Sequence, residues 1–145
     1  MTTARAPDTT TLEDALAQHL ADLGLARYEP TGMYGAAGLP AVFFGAMPDT
    51  PHDAIVINTY NDDRSRDDHN PDIYVQIRGR SAGRDPRAVD RLMDGLFDAL
   101  HDTTRTEWGS VRVLLCRRVV RAPRDPDANG RWTRPDSYVI TVNPS

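Results

Sequence analysis

The sequence predicts an α+β fold: a mixed, mainly antiparallel sheet of about five strands with two amphipathic helices packed on it. Three observations lead there. In residues 71–80, Ile73, Val75 and Ile77 alternate with Asp72, Tyr74, Gln76, Arg78 and Arg80, which is the period of a half-buried strand. From Asp85 onward, Val89, Leu92, Met93, Leu96, Phe97 and Leu100 recur at helical spacing, so one face of that helix must be buried. Near the C-terminus, apolar residues 111–120 and 132–142 flank two prolines and an Asn129-Gly130 pair, the pattern of an antiparallel hairpin.

Taken in order, residues 1–9 are polar and predicted to be frayed. Thr10 and Glu13 have the spacing of a capping box, and Leu12, Ala15, Leu16, His19, Leu20 and Leu23 form one helical stripe that stops at Gly24. His19, on that stripe, reads as a boundary histidine without a second ligand beside it. Residues 29–40, rich in Gly and Pro, form a loop to the sheet, and residues 41–45 a short apolar strand. Two prolines make residues 47–53 a rigid turn, with Asp49 and Asp53 able to bond nearby amides. The run Ile55-Val56-Ile57 in residues 54–60 is apolar on both faces and suits an interior strand.

After the strand at 71–80, Asp85-Pro86 supplies an N-cap and a first-turn proline. The six apolar side chains that follow are worth about 1.5–3 kcal/mol each when buried, enough to seal the helix onto the strand. Residues 111–120 place Val111, Val113, Leu115 and Val119 on one face and Leu114, Cys116 and Val120 on the other, so both faces should meet apolar partners. In the last strand Tyr138, Ile140 and Val142 share a face.

A chain of 145 residues is expected to form a single domain, 1–145, around one core that buries about 68–70% of its unfolded surface. One cysteine, no charged leader with an apolar run and no membrane span point to synthesis in a reducing cytoplasm. The net charge is −4, from 17 basic residues, all arginine, and 21 acids. Residues 105–145 hold eight of the arginines against four acids, a balance of +4, which leaves −8 for the rest. Such polarity favours head-to-tail contact between copies, whereas a dedicated nucleic-acid binder is usually basic throughout.

Three charged groups are candidate sites. Asp62, Asp63, Asp67 and Asp68 with His69 are interleaved with Arg64 and Arg66, but lack the alternate ligands, bend glycine and closing glutamate of a calcium loop, and the convergent His or Cys ligands of zinc. Asp90, Asp94, Asp98 and Asp102 repeat every four residues along the second helix, as a solvent or partner-facing stripe. Arg112, Arg117, Arg118, Arg121, Arg124, Arg131 and Arg134 cluster on the C-terminal hairpin and suit an acidic protein surface; a lone Trp132 offers little for base stacking. No P-loop, dinucleotide fingerprint or His-Glu-x-x-His occurs, and the histidines at 19, 52, 69 and 101 fall in separate elements. Cys116, inside a strand, reads as a buried thiol. No catalytic, cofactor-binding or metal residue is expected. A small metal-dependent enzyme using residues 62–69 is the alternative that metal calorimetry would reveal.

Several local strings, in their order, resemble the tail terminator proteins of long-tailed bacteriophages, also called minor capsid or head–tail joining proteins. They are Val42-Phe43-Phe44-Gly45-Ala46-Met47-Pro48-Asp49 with Pro51, the strand at 54–60, Val75-Gln76-Ile77-Arg78-Gly79-Arg80, Asp85-Pro86-Arg87 with its helix, and Gly130-Arg131 leading into the last strand. The likeness spans about 12–142. It implies a structural virion protein, made in the host cytoplasm and placed at the tail–neck junction. Such proteins form a homo-hexameric ring on the head-proximal end of the tail tube, stop tube polymerisation and present a docking surface to head-completion proteins. Genomic DNA passes through the lumen without specific binding. The two acidic groups are candidates for that lumen or for partner-facing surfaces, and the arginine hairpin for the subunit interface. Another head–tail connector component, a head-closure or tail-completion protein, is the runner-up.

Overall fold

Asp8 starts the first helix, α1 (Thr9–Asp22), by accepting the backbone N–H of Thr11 at 2.8 Å. The structure, a computed structural model, describes residues 6–144; of the start expected to be frayed, residues 1–5 lie outside the described residues. The expected capping box does not form. The Asp8 carboxylate, an ionised acceptor, takes the orphan amide in place of the Thr10 hydroxyl. Glu13 is thereby released to cross to the sheet, where it accepts the amide of Thr59 at 3.1 Å and its hydroxyl at 2.9 Å. At the other end Gly24 has a φ of 75°, and its N–H and that of Leu25 donate back to the carbonyls of Ala21 and Leu20. This double closure needs a left-handed residue, which glycine adopts without a Cβ penalty.

The remaining elements are β1 (Ala41–Phe44), β2 (Ala54–Asp63), β3 (Asp72–Ser81), α2 (Pro86–Leu100), β4 (Thr103–Trp108), β5 (Val111–Arg121), β6 (Asp125–Pro126) and β7 (Trp132–Asn143). They form one sheet in the order β1-β2-β3-β7-β5-β4, with β6 paired to β7. Only β1–β2 is a parallel pair among these strands. The sheet is thus mixed and mainly antiparallel, as expected, but has seven strands where about five were predicted. The two extra strands are β4 and β6. β4 is an edge strand with Thr104, Arg105 and Glu107 exposed, and β6 is two residues long with a proline, so neither needs an apolar alternation.

Both helices lie on the same face. Ile55, Ile57 and Thr59 of β2 stand opposite Gly79, Ile77 and Val75 of β3, which stand opposite Arg134, Asp136 and Tyr138 of β7. Glu13 of α1 bonds Thr59, while a Cβ at Gly79 would lie 2.5 Å from the Met93 sulfur of α2. The absent Cβ lets α2 approach this closely. Leu12, Leu16 and Leu20 of α1 and Val89, Met93, Leu96 and Leu100 of α2 join one core with Ile55, Ile57, Ile73, Val75, Ile77, Tyr138, Ile140 and Val142. Because α1 touches both β2 and β4, four steps apart in the order, the sheet curls around it.

β5 departs from the expected two-faced packing. Register shifts between Val113 and Leu115 and again between Arg118 and Val120 break its alternation. Val111, Val113 and Cys116 therefore enter the core, whereas Val119 and Val120 are 48% and 51% exposed. Burial pushes the Cys116 thiol from 9.0 up to about 12. The folded chain holds it neutral, so its contribution is full below pH 9 and is lost as pH rises toward 12, at about 1.4 kcal/mol per pH unit. Burial raises Tyr138 in the same direction, with Asp136 adding to it. Urea midpoints measured from pH 8 to 11 are expected to fall, and Cys116→Val to make the fall shallower.

Candidate functional site

The alternation of β7 that buries Tyr138, Ile140 and Val142 also buries Arg134 and Asp136 on the same face, beneath α2. Arg134 holds both carboxylate oxygens of Asp136, through Nε at 3.0 Å and Nη2 at 2.9 Å. Its Nη1 donates to Asp90 at 3.1 Å, and Nη2 lies 3.1 Å from Asp94. Burial works against the Arg134 charge, but Asp136, Asp90 and Asp94 outweigh it and hold the guanidinium protonated above its ordinary range. Arg118 lies 3.5 Å from Asp136 with its guanidinium 3.9 Å from the Phe97 ring centroid. Arg121 and Arg124 reach Asp90 from outside.

The seven hairpin arginines therefore divide. Arg131 and Arg134 are buried; Arg131 binds Asp127 at 2.9 Å, Asp49 at 3.1 Å and the Asp49 carbonyl at 2.6 Å. Arg118 is half-buried. Arg112, Arg117, Arg121 and Arg124 are exposed, Arg117 paired with Asp102 at 3.0 Å and Arg112 with Glu107 at 3.6 Å.

The helix acids divide in the same way. Asp90 and Asp94 serve Arg134, Asp98 is exposed, and Asp102, at a φ of 59°, leaves the helix to meet Arg117. The other acids sit on the β2–β3 hairpin, a long way from these in sequence. Arg64 pairs with Asp62 at 3.1 Å and Asp68 at 3.6 Å. Asp63 accepts the Ser65 hydroxyl and amide, and Asp67 the Asn70 side chain and the His69 amide, bonds that lower both carboxyls. Among the described residues no group of three or more His, Cys, Asp or Glu is placed to hold a metal ion.

One functional-looking residue was hidden in the sequence. Alternation makes Arg80 a polar position of β3, yet it is buried on the helix-free face, where Nε donates to the His52 carbonyl at 2.9 Å and Nη2 to those of Pro48 and Pro51 at 2.7 and 2.8 Å. It pins the turn between β1 and β2. Burial, then the nearby Arg131 charge, lowers its proton affinity. A guanidinium spent on carbonyls leaves no periodic signal. The chain also contains one Gly-x-Ser-x-Gly string, Gly79-Arg80-Ser81-Ala82-Gly83. A nucleophile elbow would hold its serine exposed on a strained turn. Ser81 is instead buried, paired with Trp132 as a regular strand residue.

His19 is stacked on Trp108 at 5.0 Å, and burial lowers its proton affinity. Charges here are spent on pairs within the fold or displayed at its rim, and apolar side chains such as Val119, Val120 and Phe44 remain outside. The bacteriophage tail terminator protein family matches residues 19–144, most of the chain, and the protein belongs to that family. No curated protein matches the chain. The family is one of structural phage tail proteins and not of enzymes, so the chain is a component of the virion that associates with other phage tail or head proteins. No helix among the described residues is long and apolar enough to cross a membrane.

Proposed function

We propose that this chain assembles as a homo-hexameric ring at the head-proximal end of the tail tube, where it ends tube polymerisation and presents a docking surface to head-completion proteins. The family match over 19–144 is the observation that carries this reading. The uneven charge supports it further: a basic C-terminal third and an acidic remainder suit a repeated head-to-tail contact, which closes into a ring when its rotation divides a full turn. DNA passes through the lumen without specific binding. Repulsion from exposed acids discourages phosphate from sticking there. Asp98, exposed and outside the arginine pairs that hold Asp62 and Asp68 to Arg64 and Asp90 and Asp94 to Arg134, is the best placed of these acids for that role, followed by Asp68 at the tip of the β2–β3 hairpin, 77% exposed. The whole chain, 1–145, acts as one domain.

Negative-stain images and native mass spectra test the ring. Single rings with a central hole are expected; small featureless monomers at every concentration would discard the reading. For the charge contact, Arg117→Glu with Arg121→Glu is the informative variant, because both side chains are about half exposed. Arg118 stays untouched, since a glutamate there would face the buried Asp136. The variant is expected to raise the concentration needed for assembly by more than tenfold, while the monomer melting temperature falls by only a few degrees at most, since the two pairs given up, Arg117–Asp102 and Arg121–Asp90, are about half exposed at the arginine. Equal assembly by wild type and variant would remove these arginines from the interface.

A further inference from the structure

Strand alternation alone would hide one of every two neighbouring residues in β5. The bulge between Arg118 and Val120 instead turns two consecutive valines outward, so that Val119 and Val120 form an apolar knob near the end of the sheet. Bulges of this kind re-aim side chains, and the solvent exposure of two adjacent valines has no use inside the monomer. The knob lies in the string Arg117-Arg118-Val119-Val120-Arg121-Ala122-Pro123-Arg124, which has four arginines and no acid.

The other end of the sheet carries the opposite surface. Phe44, at the end of edge strand β1, is 41% exposed and meets the Tyr28 ring edge-on at 5.8 Å. Between them and the start of α1 lies a cleft of about 260 Å³ lined by Thr10, Thr11, Glu13, Asp14, Tyr28 and Phe44. Residues 8–29 around it hold five acids against the single Arg27.

We propose that Val119 and Val120 of one copy seat in the Tyr28–Phe44 cleft of the next, as the repeating contact of the ring; this rests on the ring reading above. A second copy is the occupant because both halves of the match lie on one chain. No residue of β5 lines the cleft, and Val119 and Val120 stay about half exposed, so the two halves do not meet within a monomer. Knob-to-knob pairing would bring arginines together, so the knob is matched to the acidic cleft, and that contact repeated head to tail closes into a ring. The apolar anchor supplies the affinity, while the arginine and acid rims set the partner and the approach.

Cys116 is the chain's single cysteine and is buried, so engineered surface cysteines report without background. The Val120→Cys, Phe44→Cys double variant, oxidised with diamide and run without reductant, is expected to give a ladder of covalent multimers up to the ring number. Either single variant should stay monomeric on the gel. Rings in the native mass spectrum without a ladder, or dimers from Val120→Cys alone, would overturn this contact and leave the ring reading standing. No multimer of the wild-type chain at any concentration would overturn the ring reading, and this contact with it. Val120→Asp provides a second arm: assembly weakened at least tenfold with an unchanged monomer melting temperature supports the contact, and unaffected assembly removes it.

Discussion

Replacing Asp136 by alanine is expected to cost about 3–5 kcal/mol, the range for removing one partner of a buried ion pair. The loss is that large because Arg134 stays behind. Its Nε and Nη2 face Asp136 inside the fold, and Asp90 and Asp94 engage only Nη1 and the far side of Nη2. Arg118, half-buried beside Phe97, loses its counterion as well. At roughly 4 °C per kcal/mol for a chain of this size, the melting midpoint should fall about 10–20 °C. The Arg134→Leu, Asp136→Leu double variant should lose less than the sum of the two single changes, since it removes both charges together. Urea denaturation of wild type, Asp136→Ala, the two single leucine variants and the double variant decides it. A midpoint for Asp136→Ala within about 1 kcal/mol of wild type would show that water reaches this network and solvates it.

The second large effect is expected at Arg80. Arg80→Met keeps much of the side-chain volume and removes every donor, leaving the carbonyls of Pro48, Pro51 and His52 without their partner. Buried acceptors left unpaired cost about 1–3 kcal/mol each. Part of this turn can rehydrate, so the expected loss is about 3 kcal/mol in total. It should be local in character: limited proteolysis or hydrogen exchange is expected to show residues 45–53 opening first, with α2 still protected. Uniform loss of protection across the sheet would mean that Arg80 holds the core as a whole.

The helices and most of the sheet were legible because their physics is local. Six apolar residues at helical spacing after Asp85-Pro86 can satisfy water and backbone together only as an amphipathic helix, and α2 runs from Pro86 to Leu100 with Asp85 as its cap. Ile73, Val75 and Ile77 likewise had a single face to bury. β4 was missed for the complementary reason: an edge strand is held by backbone pairing to β5, which any sequence of threonines and charges can supply.

The candidate sites were less legible, since a charge in a sequence carries no sign of where its counterion lies. Asp90 and Arg134 are 44 residues apart, and Arg131 and Asp49 are 82 apart. Read singly, the seven arginines formed one basic ribbon and the four helix acids one stripe. Folding sorted them: Arg134 and Arg131 went inside with Asp136, Asp94, Asp90, Asp127 and Asp49 as partners, and Arg112, Arg117, Arg121 and Arg124 stayed at the surface. The sequence likewise assigned the valines of β5 to buried faces, because alternation assumes an unbroken register. Bulges are set by pairing with β7, so nothing within residues 111–121 announces them.

By itself the sequence determined the α+β class, both helices with the cap of the second, the interior strands and the resemblance to tail terminators. Each depends on spacing within a few residues, where backbone geometry leaves one way to bury an apolar face. Only the tertiary structure decided that both helices share a face of a curled sheet, that Arg134 and Asp136 are core residues, and that Val119 and Val120 are not. Those outcomes depend on strand register and on contacts tens of residues apart in the chain, which composition and periodicity do not encode.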